Sequence, residues 1–222
     1  MSLRDVLREN RLLMQLYSML RDSIGHVNDR YYGIKTESVD SFRFRNVCTD
    51  ATRYEAIPYW LLKRIVEVVR PGPEDVFFDI GCGKGRALAM FALCPIKKCV
   101  GVEIDPSLAQ VAERNAAGLR GRVAPIEVRT ENAAETDYGS GTIYFMFNPF
   151  GPATLTAVLT RIQESLVKRP RKICVVYYNP LHREVVQSVL GLKATVRTEG
   201  HFPWRPQKVA FVANYPLGES RE

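Results

Sequence analysis

Residues that could hold a small polar ligand recur at alternate positions, namely Asp79, Gly81, Gly83 and Gly85. They follow an apolar run that begins at Val76 and precede a stretch of helix-forming residues. This order predicts a buried strand, a tight glycine turn and the start of a helix. Because glycine lacks a Cβ and the first turn of a helix has unpaired N–H groups, a ligand can bind closely there. The segment is therefore a candidate cofactor site.

Two common phosphate-binding motifs do not fit this loop. A Walker A loop requires G-x-x-x-x-G-K-[ST], but Phe78 and Gly85 stand at its first and last positions. A dinucleotide loop requires G-x-G-x-x-G, but Arg86 stands at the third glycine position. Asp79 would also repel a pyrophosphate. We therefore reject a nucleoside triphosphate and keep a nicotinamide oxidoreductase only as a third alternative.

The loop resembles the D-x-G-x-G-x-G signature of the class I S-adenosylmethionine-dependent methyltransferases. Residues 100–105 resemble the second strand of that family, with Glu103 as its acid. Glu131-Asn132-Ala133 resembles the end of the third strand, where Asp is more usual than Asn, and residues 145–150 resemble the end of the fourth. The resemblance covers residues 54 to 215. It is greatest to a bacterial branch with Tyr-Glu-x-x-Pro before the loop and Asn-Pro-Phe after the fourth strand.

The resemblance implies S-adenosylmethionine as the cofactor and S-adenosylhomocysteine as its product. Asp79 would attract the ammonium group, Glu103 offers two oxygens to the ribose hydroxyls, and Asn132 would exchange hydrogen bonds with the adenine. Taken singly, the same residues could be a turn cap, a surface acid and a loop cap. The residues expected at the cofactor are Asp79, Gly81, Gly83, Gly85, Glu103, Asn132, Ala133 and Asn148.

Short apolar segments alternate with helix-forming ones after position 75, which predicts a mostly parallel sheet with helices on both faces. Residues 194–199 and 208–214 resemble two strands joined by a loop too short for a parallel crossover, so we expect the last strand to be antiparallel. The predicted fold class is α/β, a Rossmann-like seven-stranded sheet with a helical N-terminal extension. We assign residues 1–53 to this extension and residues 54–222 to the cofactor-binding domain.

The N-terminal segment has its own pattern. Apolar residues recur at three- and four-residue steps over residues 3–24, which predicts a helix that packs on the domain or on a second copy of the chain, giving a homodimer. Residues 25–52 lack such a pattern and are expected to be irregular, as a lid or as a packing arm. A second helix is predicted from Tyr59 to Val69, ended by Pro71-Gly72-Pro73.

The acceptor is expected at the carboxyl ends of the strands, where open α/β sheets bind their ligands. If the strand order of the family holds, one rim should gather Asn148, Phe150, Tyr178, Asn179, His182 and Trp204. Asn148-Pro149-Phe150 resembles the [N/D]-P-P-[Y/F] motif of methyltransferases that act on planar amino nitrogens, but it has one proline.

Roles follow from this expected rim. We expect catalytic roles for Asn148, Phe150 and His182, the last as a candidate general base. Substrate contacts are expected from Tyr54, Asn179 and Trp204. The predicted function is methyl transfer from S-adenosylmethionine to an undetermined acceptor, with an amino nitrogen favoured. The alternative is a non-catalytic cofactor-binding module that acts through a protein partner.

Composition limits the partners and the compartment. A net charge of +7 allows an acidic partner such as RNA, although no dense Lys/Arg tract is present; a protein or a small molecule is equally compatible. No apolar run approaches the ~20 residues that a membrane span needs. Five cysteines without a C-x-x-C pair, and three histidines, argue against a metal site. Free thiols and a charged N-terminal stretch lead us to expect a cytoplasmic protein.

Overall fold

The computed structural model of the protein describes residues 11–37, 50, 54–199 and 207–217. These residues form a seven-stranded sheet with the strand order β3-β2-β1-β4-β5-β7-β6. Its strands are β1 (Val76–Ile80), β2 (Lys98–Glu103), β3 (Ile126–Thr130), β4 (Ile143–Phe147), β5 (Cys174–Tyr178), β6 (Ala194–Glu199) and β7 (Gln207–Ala213).

The five neighbouring strands β3, β2, β1, β4 and β5 are all parallel, whereas β7 pairs antiparallel with both β5 and β6. The predicted mixed sheet with an antiparallel last strand is therefore confirmed. Strand order reverses at β1, whose two neighbours are β2 and β4. This reversal opens a crevice beyond the carboxyl end of β1, where the glycine loop begins.

Six helices lie within the described residues. They are α1 (Arg11–Tyr32), α2 (Tyr59–Val69), α3 (Arg86–Ala92), α4 (Pro106–Gly118), α5 (Pro152–Lys168) and α6 (Arg183–Leu190). Of the described helices, none has the length and apolar character needed to cross a membrane.

Helices cover both faces of the sheet, which buries β1 along its whole length. Because side chains alternate along a strand, Phe77 joins one core with α2 and α3, and Phe78 joins the other core with α5 and α6. A strand buried on both faces carries a continuous apolar run. Asp79 interrupts that run near its carboxyl end, and its side chain is buried as well.

Helix α1 corrects the prediction for the N-terminal segment. It continues to Tyr32, so residues 25–32, expected to be irregular, are helical. Gly25 lies inside the helix at a point where α1 passes close to Arg86, since a Cβ on Gly25 would lie at ordinary contact distance, 3.7 Å, from a guanidinium nitrogen. Residues 3–10 of the predicted helix lie outside the described residues.

The carboxyl end of α1 docks on the carboxyl end of α4. The Arg120 amide donates to the Tyr32 carbonyl at 2.9 Å, and Gly33 has a positive φ of 74°. On another face of α1, Ile24, Val27 and Tyr31 are exposed. A homodimer through this helix stays a prediction.

Replacing Gly33 tests how tightly this end is docked. A Cβ on Gly33 would lie 2.8 Å from the Gly118 carbonyl oxygen, whereas Gly191, at a φ of +64°, has nothing within 4 Å. Gly191→Ala therefore isolates backbone strain, which costs about 1–2 kcal/mol. We expect Gly33→Ala to lower the free energy of unfolding further, by roughly 2–4 kcal/mol, because it adds a clash. Urea unfolding measures the free energy of unfolding of both variants. Equal decreases in Gly33→Ala and Gly191→Ala would show that the α1–α4 contact shifts to accommodate the added methyl group.

Candidate functional site

A cavity of about 340 Å³ lies beyond the carboxyl end of β1, a size within the usual range for a small-molecule site. Three regions enclose it: the glycine loop, the ends of β2 to β5, and the segment that includes Tyr54–Ile57. The sequence-predicted positions Asp79, Gly81, Gly83, Glu103, Asn132, Ala133, Asn148, Phe150, Asn179 and Tyr54 all line this cavity.

The glycine loop is shaped by its close neighbours. Gly81 and Gly83 have positive φ angles of 75° and 55°. A Cβ on Gly81 would lie 2.6 Å from the side chain of Pro149, and one on Gly83 would lie 2.3 Å from the Tyr54 ring. Any other residue would therefore push away part of the cavity wall. Gly85 does not line the cavity, since its missing Cβ faces Ala112 and Leu88 on the helices behind the loop.

Asp79 is the most deeply buried acid of the cavity, with 3% of its surface exposed. Burial first, and then the negative charge of Glu103, raise the pKa of the Asp79 carboxyl to about 8; a hydrogen bond from the Leu88 amide opposes this. A carboxyl with this pKa is largely protonated at pH 7. It becomes a carboxylate readily when a cation is placed beside it.

Glu103 anchors the loop from the end of β2. One carboxylate oxygen accepts from the Gly83 amide at 2.7 Å, and the other accepts from the Asp105 amide at 3.0 Å. Burial raises the pKa of Glu103, and these backbone hydrogen bonds partly offset the rise. Each carboxylate oxygen has a second lone pair. The fixed carboxylate can therefore still accept from a ligand.

Asn132 follows β3 and acts as a cap of its own loop. Its side-chain oxygen accepts from the Ala134 amide at 3.0 Å, and its side-chain nitrogen donates to Glu135 at 3.0 Å. The loop-cap alternative from the sequence is thus present in the structure. Asn132 and Ala133 nevertheless line the cavity, and the cap holds their backbone in place beside it.

Asn148 stands at the end of β4 with a positive φ of 38°, and Asn179 stands beyond β5 with a φ of 51°. Asparagine tolerates this left-handed region better than most residues. The Tyr177 hydroxyl donates to the side-chain oxygen of Asn148 at 2.8 Å. Burial raises the pKa of Tyr177 to about 12, so it keeps its proton as a donor. Tyr177 therefore fixes Asn148, a role that the sequence analysis missed.

The expected rim is only partly formed. Asn148, Phe150 and Asn179 line the cavity, but Tyr178 and His182 do not. The Tyr178 hydroxyl donates to Gln207 instead, because consecutive side chains of β5 point to opposite faces. His182 lies at the start of α6, with its Nδ1 4.0 Å from Glu184. Trp204 lies outside the described residues.

The cavity is acidic although the protein is basic. Five carboxyl residues line it, whereas Arg86 is the one Lys or Arg among its described lining residues. Arg86 already pairs with Asp29. Within the described part of the chain, neither Asp79 nor Glu103 forms an ion pair with a basic side chain. The acids that line the cavity are Glu55, Asp79, Glu103, Asp105 and Glu131.

Comparisons with known proteins point in the same direction. A family model described as histone methylation protein DOT1 matches residues 38–138. A protein-lysine N-methyltransferase of Saccharolobus islandicus is 29% identical over 122 residues, which span 54% of this chain and 68% of that protein.

Solved structures share the fold. An RNA methyltransferase from Salinibacter ruber, in complex with S-adenosyl-L-homocysteine, has a TM-score of 0.52 at 21% identity and covers 72% of this chain and 93% of its own. An S-adenosylmethionine-dependent O-methyltransferase from Thermotoga maritima has a TM-score of 0.53 at 15% identity, covering 76% of this chain and 69% of its own.

These matches and the sheet topology identify the chain as a class I S-adenosylmethionine-dependent methyltransferase. Its cofactor is S-adenosylmethionine. The resemblance found in the glycine loop is thereby confirmed at the level of the class.

Replacing Asp79 tests its protonation in the cofactor-free protein. An unfolded Asp ionises near pH 4, but folding raises the pKa of Asp79 to about 8. The folded state therefore holds the proton more tightly, and this contribution to stability is present below pH 4 and lost as the pH rises towards 8. The Asp79→Asn variant cannot ionise at this position, so its stability does not fall with pH for this reason. We expect its unfolding equilibrium constant, relative to wild type, to fall by roughly tenfold per pH unit across this window.

Chemical unfolding at pH 5, 7 and 9 measures the effect of Asp79→Asn. Exposed Asp137→Asn is the control for the loss of a surface carboxylate. Parallel pH profiles for wild type and Asp79→Asn would contradict the raised pKa.

Proposed function

We propose that the protein transfers the methyl group of S-adenosylmethionine to the ε-amino group of lysine side chains in proteins. The observation that carries this proposal is the acidic cavity in a chain of net charge +7. Such a cavity favours a cationic cofactor and a basic acceptor over a polyanion. The similarity to a protein-lysine N-methyltransferase and to the histone methylation family model supports the same acceptor class.

The residues present fit the cofactor. Asp79, buried without a basic partner among the described residues, would hold the ammonium group, and Glu103 would accept from the ribose hydroxyls. The backbone at Gly81 and Gly83, which have no Cβ to block approach, would lie along the methionine portion. Asn132 and Ala133 would flank the adenine. When bound, S-adenosylmethionine supplies a methyl group on a sulfonium that is a good leaving group.

The acceptor end of the cavity would handle the proton of lysine without a dedicated base. Phe145, Phe147 and Phe150 line the cavity near the end of β4. Exclusion of water from the enclosed lysine side chain penalises its charged form and lowers its pKa, which favours the neutral amine needed for attack. Asn148, fixed by Tyr177, and Asn179 would then orient the nitrogen. His182, away from the cavity, has no part in this scheme.

The alternative, a non-catalytic module that binds the cofactor, lacks comparable support. Both the family model and the curated relative are named for methylation. The cavity lining also includes Asn179 and Phe150 beyond the expected cofactor residues, and an acceptor group would bind at that end.

Labelled-methyl transfer tests the acceptor. Wild type is incubated with S-adenosylmethionine and either a lysine-rich peptide, the same peptide with every lysine replaced by arginine, or a single-stranded RNA oligonucleotide. We expect methylation of the lysine peptide alone, with a loss of more than tenfold in Glu103→Gln because the ribose contact is weakened. Exposed Glu113→Gln, on helix α4, is the matched control. Transfer to RNA but not to lysine would contradict the proposal.

A further inference from the structure

A buried ion pair lies at the wall of the cavity, and the cofactor contacts do not explain it. Asp29 of α1 and Arg86 of α3 are 2% and 8% exposed, and their charged groups lie 3.4 Å apart. Burying such a pair has a high desolvation cost, which is offset only when further hydrogen bonds satisfy both groups. The surroundings of Arg86 therefore indicate what the pair holds together.

Arg86 donates to two separate chain segments. Its Nε donates to the Thr36 hydroxyl at 2.5 Å, and one Nη donates to the Thr36 carbonyl at 3.3 Å. The other Nη donates to the Ile57 carbonyl at 3.0 Å. The planar guanidinium, with donors on several sides, can span both segments, which a lysine ammonium cannot. Asp29 completes the arrangement by accepting from the Thr36 hydroxyl at 2.7 Å.

One of these segments forms part of the cavity wall. Tyr54, Glu55, Ala56 and Ile57 all line the cavity. The Tyr54 hydroxyl donates to the Thr36 carbonyl at 2.8 Å, the same oxygen that accepts from Arg86. The Tyr54 ring packs directly on Gly83. Arg86 thus connects residues 54–57 to the helix that begins where the glycine loop ends.

Asn115 of α4 secures the other segment. Its side-chain oxygen accepts from the Lys35 amide at 2.8 Å. Its side-chain nitrogen donates to the carbonyls of Lys35 at 2.9 Å and Lys84 at 2.8 Å. The stretch around Thr36 is therefore held firmly between α1, α4 and the loop. It provides a fixed base against which Arg86 can hold residues 54–57.

We propose that Arg86 is a positioning residue that sets the affinity for the cofactor by holding residues 54–57 closed against the glycine loop. The proposal rests on the cofactor site described under the proposed function. A ligand enclosed between the loop and Tyr54 gains affinity when this wall is already in place, because binding then spends little on ordering it. Arg86, which stands where a dinucleotide loop has its third glycine, therefore positions the cavity wall.

The test compares Arg86→Lys with a matched control. Lysine keeps a positive charge opposite Asp29 but cannot bond Thr36 and Ile57 together. We expect the dissociation constant for S-adenosylhomocysteine, measured by calorimetry, to rise at least tenfold. Turnover of the lysine peptide at saturating cofactor should change less than threefold. Arg120→Lys is the control, because Arg120 also bonds the end of α1, at the Arg30 carbonyl, but does not line the cavity.

A second variant keeps the test decisive if Arg86→Lys does not fold. Thr36→Val removes the hydroxyl between Arg86 and Asp29 while keeping the shape of the side chain, and it should weaken S-adenosylhomocysteine binding in the same direction. Hydrogen exchange at the Ala56 and Ile57 amides should quicken in both variants and not in Arg120→Lys.

The outcomes separate the two proposals. Wild-type affinity in Arg86→Lys, or in Thr36→Val where Arg86→Lys is unfolded, would overturn the positioning role and leave the cofactor site intact. The same affinity loss in Arg120→Lys would also overturn it, since general loosening would then explain the effect. A wild-type protein that does not bind S-adenosylhomocysteine would instead overturn the cofactor site itself.

Discussion

The carboxyl groups of Asp79 and Glu103 are buried at the ends of neighbouring strands, and in the described part of the chain no basic side chain pairs with either. Burial of acids without a partner is costly, and the raised pKa of each records that cost. A protein tolerates such a cost where a ligand relieves it. In the proposed binding mode, the ammonium group of the sulfonium cofactor would supply a positive charge beside Asp79.

The sheet places these acids together. Asp79 is the penultimate residue of β1 and Glu103 is the last residue of the adjacent parallel strand β2, and the reversal of strand order at β1 opens the crevice that they share. Gly81 and Gly83 let the loop pass under Pro149 and Tyr54 without collision. The loop is therefore held from both sides, by Glu103 through the Gly83 amide and by the segment that Arg86 secures.

Much of this was predictable from the sequence, and the exceptions have physical reasons. Strand β1 begins at Val76 as predicted, because a buried parallel strand is a continuous apolar run, and helix α2 matches its predicted bounds because prolines mark its end. The extent of α1 was missed because Gly25 weakens the helical pattern. The sequence analysis wrongly placed Tyr178 at the rim. Side chains alternate along β5, and it is Tyr177 that points towards Asn148 while Tyr178 bonds Gln207. The sequence analysis noted Arg86 only as a departure from the dinucleotide motif. Its hydrogen-bonding role could not be predicted, because its partners lie 29 to 57 residues away in sequence.

Proton release on cofactor binding tests the central claim most directly. If Asp79 is protonated in the free protein and ionised beside a cation, binding must release its proton. Calorimetric titration with S-adenosylmethionine at pH 7, in buffers of different ionisation enthalpy, counts the protons. The account predicts a release close to one proton per cofactor at pH 7 that falls as the pH rises through 8, because Asp79 has a pKa of about 8. Binding at pH 7 without proton release, or with proton uptake, would contradict it.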